Sequence, residues 1–219
     1  MSFLIRVVLP DTPGSLGQLA DAFGMVNANI ESVDVVEHSE DGTVTDDIVV
    51  NLPQGVMADS ILTAASAVDG VIVDSFRPFS GSVDRRGQIA LLSRVATAKN
   101  VKAGMQEVAN AIPKAMTSSW AIVIDNNPPI HRLASSSSAP ADDGTVPADI
   151  KVPAARVLHA DQDAWVPHSW SLLDSTLAAA PLGATGLTLV IGRVGGPEFL
   201  TSEVEHLRDI GNILGAVLR

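Results

Sequence analysis

A chain of 219 residues with a formal net charge of −11, 46% hydrophobic residues, 18% charged residues and no cysteine reads as a soluble globular protein of two modest domains. No stretch approaches the roughly 20 apolar residues that span a bilayer, and without cysteine there are no disulfides, thiolate nucleophiles or zinc–cysteine sites. The charge is unevenly shared: residues 1–80 hold twelve Asp and Glu against only Arg6 and Arg77, which repels phosphate backbones and excludes nucleic acid as a direct partner.

In chain order, "FLIRVVLP" is a β run ending at Pro10, since proline cannot donate to a sheet ladder. It follows Met1-Ser2 with no basic segment before it, so it reads as a strand rather than a secretory leader, and the expected location is the cytoplasm. From Ser15 to Met25, Leu16, Leu19, Ala20 and Phe23 fall on one helical face, with Thr12 as the expected cap and Pro13 in the first helical position. "NIESVDVVEH" is a strand, "EDGT" a hairpin turn, and "VTDDIVVNL" a strand whose Val44, Ile48, Val50 and Leu52 share a face with Asp46. Asp47 must then point to the opposite face, so the two acids form no dyad. A helical pattern over "VMADSILTAASAV" and a strand over "DGVIVDSFRPF" complete β-α-β-β-α-β, the order of a ferredoxin-like sandwich.

The turn residues are more specific than that order. "LPDTPGSLGQLADAFGMVNANIESVDV" resembles the signature of ACT domains, small amino-acid-sensing modules, with Asp11, Pro13, Gly14, Leu16, Asn29 and Ile30 in the matching places. The helix end usually carries glycine there, and Asn27 is the substitute best able to adopt a left-handed cap. The resemblance implies an amino acid bound by Asp11, Thr12, Pro13, Gly14, Ser15, Leu16, Asn29 and Ile30. Gly14 lets a carboxylate reach the helix start, where the helix dipole favours it, and Asp11 accepts from the ammonium group. Asn29 and Ile30 are expected to bring a second polar contact to the same end of the sheet. ACT domains generally pair and hold ligands between copies, so a homodimer is expected.

The charge step near "RPFSGSVDRRG" marks the boundary: an ACT domain over 1–80, a linker over 81–87 and a second domain over 88–219. Ile89–Ala98 and Val101–Met116 are helical, divided at Asn100 or Gly104, and "SSWAIVID", "IHRLA", "VPAARVLHA", "STLAAAPL" and "GLTLVIGRV" read as strands. Ser, Pro, Ala and Asp over 135–149 form an exposed, mobile loop. The closing helix carries Ser202 and Glu205 in capping-box spacing and a broad face of Val204, Leu207, Ile210, Ile213, Leu214, Val217 and Leu218. Strand, Gly-rich turn, Phe, Ser/Thr-x-Glu and helix over "APLGATGLTLVIGRVGGPEFLTSEVEHLRDIGNILGAVL" resemble the way GAF domains end. The expected fold class is therefore α+β: a ferredoxin-like βαββαβ unit, then a GAF-like unit with a mostly antiparallel sheet flanked by helices.

No G-x-S-x-G or His-Glu-x-x-His pattern is present, and no cofactor or catalytic residue is expected. His159, Asp161, Asp163 and His168 in "HADQDAWVPHSW" are metal-ligand types whose spacing matches no known site, and Trp165 and Trp170 among them read as anchors of the loop or as the lining of a pocket mouth. His38, His131 and His206 read as surface residues. The expected function is a non-catalytic amino-acid sensor with a possible protein partner. The alternatives are a ligand-free dimerisation or interaction module and, third, an enzyme with an unrecognised site in the second domain.

Overall fold

The computed structural model describes residues 1–79, 85–142, 144 and 149–218. The chain forms two compact units, Met1–Val83 and Asp84–Arg219.

In the first unit the elements are β1 (Ser2–Pro10), α1 (Ser15–Met25), β2 (Asn29–His38), β3 (Thr43–Asn51), α2 (Asp59–Ser66) and β4 (Ile72–Pro78). They build one antiparallel sheet in the order β2-β3-β1-β4. Strand alternation divides β1 cleanly. Phe3, Ile5, Val7 and Leu9 face the helices and pack with Val44, Ile48 and Val50 of β3, Leu19 and Phe23 of α1, and Ile61 and Ala65 of α2. On the other face Arg6 meets its cross-strand neighbour Asp47 in a buried two-point ion pair, Nε–Oδ1 2.7 Å and Nη2–Oδ2 2.9 Å. Asp46 and Asp47 thus do point to opposite faces.

The hairpin between β2 and β3 closes by a Gly42 N–H to Ser39 carbonyl bond, with Gly42 left-handed at φ 81°. Asp41 accepts from the backbone N–H and the hydroxyl of Thr43, and the hydroxyl bond foremost holds its carboxyl below the usual range. At the end of α1, Asn27 takes the expected left-handed conformation (φ 58°). The N–H groups of Asn27 and Ala28 bond the carbonyls of Gly24 and Phe23, which completes a Schellman motif.

The start of α1 departs from expectation. Thr12 does not cap the helix and Pro13 is not its first residue. Ser15 N–H bonds the Thr12 carbonyl, and Gly14 sits at φ 101°, so Thr12–Ser15 is a type II turn with proline and glycine in its two central places. Glycine's freedom at positive φ draws the chain into that turn one step before the helix. Leu16 therefore lies in the first helical turn, beyond the core, and is 38% exposed, while Leu19, Ala22 and Phe23 are buried.

The second unit contains α3 (Arg85–Ala96), α4 (Val101–Ala115), β5 (Trp120–Asp125), β6 (His131–Ser135), β7 (Arg156–Leu158), β8 (Thr176–Pro181), β9 (Leu187–Arg193) and α5 (Thr201–Val217). Its antiparallel sheet runs β6-β5-β9-β8-β7. Ala121, Val123, Leu189 and Ile191 face a helical layer of Leu91, Met105, Val108, Ile112, Leu207 and Leu214. Trp120, Ile122, Ile124 and Val190 face the other way, under Val152, Val166 and Trp170 from the long connections. Asn100 is the break between α3 and α4, its side chain accepting from Ala103 N–H at 2.8 Å; Gly104 lies inside α4.

Three further expectations change. Of the linker over 81–87, residues 81–84 lie outside the described residues, and the chain is already helical at Arg85 because Arg, Gln and Leu outweigh Gly87. The 135–149 loop is tied down where it begins. Ser135 ends β6, buried Ser136 accepts from Ala121 N–H, and Arg132 donates to the Pro140 carbonyl; residues 143 and 145–148 lie outside the described residues. At α5 the helix starts at Thr201, which makes Glu203 the capping acid instead of Glu205: its carboxylate accepts from Leu200 N–H at 2.9 Å. The apolar face of α5 is also narrower, with Ile213 and Val217 partly exposed.

Candidate ligand site at the first turn

Residues Asp11 to Leu16 join β1 to α1 at the Thr43 end of the sheet, where Pro10 pairs with Thr43. The type II turn leaves α1 without a side-chain cap, so the first N–H groups of the helix have no partner within it. A Cβ built on Gly14 would meet nothing within 4 Å, which means space around the turn is open and backbone φ alone demands glycine there. Thr12 and Ser15 hydroxyls bond each other at 2.8 Å across the turn. Open approach, an uncapped positive helix end and neighbouring hydroxyls suit a carboxylate.

Asp11 is already engaged. Its Oδ2 lies 3.0 Å from Nδ1 of His38 at the end of β2, both side chains being more than half exposed, and its N–H bonds the Gly42 carbonyl. His38 is a surface residue as expected, but no local pattern shows that the hairpin returns it to Asp11.

Asn29 and Ile30 are not at this end. Asn29 pairs with Asn51, and Asn51 pairs with Ser2, so they mark the start of β1. The reason is topological: α1 runs back along the sheet, and β2 sets out parallel to β1 from the far side. Along β3 the two ends are roughly 27 Å apart at about 3.4 Å per residue. Within one chain the eight expected site residues form two groups, Asp11–Leu16 and Asn29–Ile30.

Asp46 lies on the apolar face of β3, as its alternation predicts. It lies between Val7 on β1 and Val35 on β2, is 2% exposed, and its Oδ1 is buried without a hydrogen-bond partner. Burial foremost raises its carboxyl pKa; His38 opposes that, and Asp47, Asp34 and Asp11 add to it. The detectable signal was an acid in register with Val44, Ile48 and Val50. The helix-side face of β2 beside it is open, with Val33 38% and Val35 48% exposed.

Elsewhere, Asp163 of "HADQDAWVPHSW" is engaged by two Arg156 nitrogens and by His159 N–H. Arg156 foremost holds its carboxyl below the usual range. It is a loop staple, and among the described residues no group of three or more His, Asp or Glu is placed to hold a metal. Trp165 and Trp170 anchor the loop as expected, with Trp170 edge-on to Trp120 at 6.0 Å and to Trp165 at 6.3 Å. A groove of about 690 Å³ between α1 and α2, lined by Gln18, Ala22, Met25, Ala64 and Val68 among others, includes none of the expected site residues. Among the described residues no helix is long and apolar enough to cross a membrane.

No family model and no curated protein matches this chain. Solved structures do. A protein of unknown function from Galdieria sulphuraria is 23% identical, with 43% of this chain and 61% of that one covered and a TM-score of 0.31. The GAF domain of a phosphoenolpyruvate-protein phosphotransferase from Acinetobacter is 11% identical over 61% of this chain and 90% of that one, TM-score 0.47. A formyltetrahydrofolate deformylase from Pseudomonas putida is 8% identical over 43% of this chain and 37% of that one, TM-score 0.30. The chain spans less than two thirds of the first and third of these. These likenesses concern the fold alone. The fold itself is α+β, a four-stranded βαββαβ unit followed by a five-stranded antiparallel sheet with helices.

Proposed function

We propose that the protein is a non-catalytic regulatory module that binds an amino acid between two copies of its first unit. The observation that carries this reading is the separation of the two half-sites by a ten-residue edge strand with exposed Val33 and Val35. Exposed edge strands are templates for pairing. A two-fold axis at Val33 would set two β2 strands antiparallel and place Asn29 opposite the partner's Glu37, one residue from the partner's His38 and beside the partner's Asp11 turn. In that register Glu31 faces Val35, Asp34 faces Ser32 and Glu37 faces Asn29, so no carboxylate opposes another. Each interface would then hold two equivalent sites, as an isologous contact requires. The helix start at Gly14 receives the α-carboxylate, the acidic end of the sheet receives the ammonium group, and Asn29 closes the site from the other copy.

A thermal-shift screen of the twenty amino acids tests it. A true ligand raises the melting temperature with the logarithm of its concentration, by about 2.7 kcal/mol of stabilisation at 100 Kd. No shift at millimolar concentration removes the sensor reading. The exposed Val33 and Val35 favour a second reading, a ligand-free association module, for which sedimentation gives a dimer while the screen stays flat.

A further inference from the structure

We propose that Asp46 receives the ammonium group of the bound amino acid. This rests on the reading above and names the acid that the sequence resemblance did not. Asp47, its neighbour in sequence, is matched by Arg6, whereas the Oδ1 of Asp46 is buried with no donor. An unmet buried carboxylate is costly unless a cation or a proton completes it. Apart from His38, which pairs with Asp11, the first unit has no cation to spare. Residues 1–80 contain only Arg6 and Arg77, both buried, and the N-terminal ammonium bonds Asn51 Oδ1 and the Leu52 carbonyl at the far end of the sheet. A second copy of the same unit brings the same inventory. We take the donor to be a small amine from solution, because Asp46 lies on β3, three residues from the end that carries the uncapped helix start.

Its surroundings favour a cation. Asp11 on the first turn, Asp34 on β2 and Asp47 on β3 all add negative potential, His38 is the one opposing group, and α1 has no acidic residue in its first turn and no basic one in its last. Because burial keeps the carboxyl protonated to higher pH than usual, binding an ammonium group must displace that proton. Affinity should rise with pH through the raised pKa of the free protein.

The test titrates the full chain, by calorimetry at several pH values, with whichever of the twenty amino acids shifts its melting temperature and with the des-amino analogue of that amino acid. Wild type should prefer the amine and bind it more tightly as pH rises. Asp46→Asn, checked by melting to be folded, should bind about ten- to a hundredfold more weakly, the range expected for a lost hydrogen bond to a charged group. It should also lose both the preference for the amine and the pH dependence, which a merely structural role would not move. Asp46→Ser serves if the Asn variant misfolds. Wild-type binding with an unchanged Asp46→Asn response overturns this assignment and leaves the sensor reading standing. If none of the twenty binds wild type, both fall.

Discussion

At the scale of single residues, the first unit contrasts two adjacent acids. Asp47 is stabilised by the Arg6 fork, and Asp46 is buried with one oxygen unmet. Since the folded state holds the Asp46 proton more tightly than the unfolded chain, it binds more protons in the window above the usual carboxylate pKa of about 3.9. Stability of the ligand-free protein should therefore fall as pH rises through that window. Asp46→Asn should remove this component and melt higher than wild type at pH 7; a lower melting temperature at pH 7 would contradict the account. Much of this was legible in the sequence, because strand alternation alone places Asp46 among Val44, Ile48 and Val50. The His38–Asp11 pair was not, since it depends on the turn that folds β2 back onto β3. Gly14 is required by its positive φ in a type II turn, with nothing crowding its Cβ position, a reason that Pro-Gly spacing does not distinguish from close approach.

At the scale of elements, periodicity located the strands and helices and erred at their ends, where one residue decides which side chain caps. The start of α5 is the clearest case. Glu203 serves Leu200 N–H and the buried guanidinium of Arg193, whose Nη2 is 2.6 Å away, while Glu205 is exposed beside Arg208. Glu203→Ala should cost about 3–5 kcal/mol, because it strands a buried charge. Glu205→Ala should change stability by less than about 0.5 kcal/mol in denaturant melts, as exposed pairs do. Equal effects would restore the capping box that spacing had suggested. The loop over the second sheet depends similarly on Asp163. Its lowered pKa means that its stabilising contact with Arg156 is present above the unfolded pKa and lost as pH falls through the folded one. Asp163→Asn should reproduce at pH 7 the tryptophan fluorescence that wild type shows under acid, since Trp120, Trp165 and Trp170 lie together beneath that loop. An unaltered spectrum would mean that the loop holds without its staple.

At the scale of the whole molecule, the site expected from the sequence exists only as two halves. The residue types were legible, since a Pro-Gly turn and an Asn-Ile strand start are local features. Their distance was not, because it depends on α1 running back along the sheet and on β2 lying at its edge. If two copies pair through β2, each site combines the Gly14 turn of one chain with Asn29 of the other. Complementation tests that claim most directly. Gly14→Val and Asn29→Ala chains, each unable to bind the amino acid found by screening, are mixed, allowed to exchange subunits and titrated by calorimetry. Random exchange leaves one intact site in each mixed dimer, so about a quarter of all sites should regain wild-type affinity. A mixture that binds no better than either variant alone would contradict a site shared between two chains.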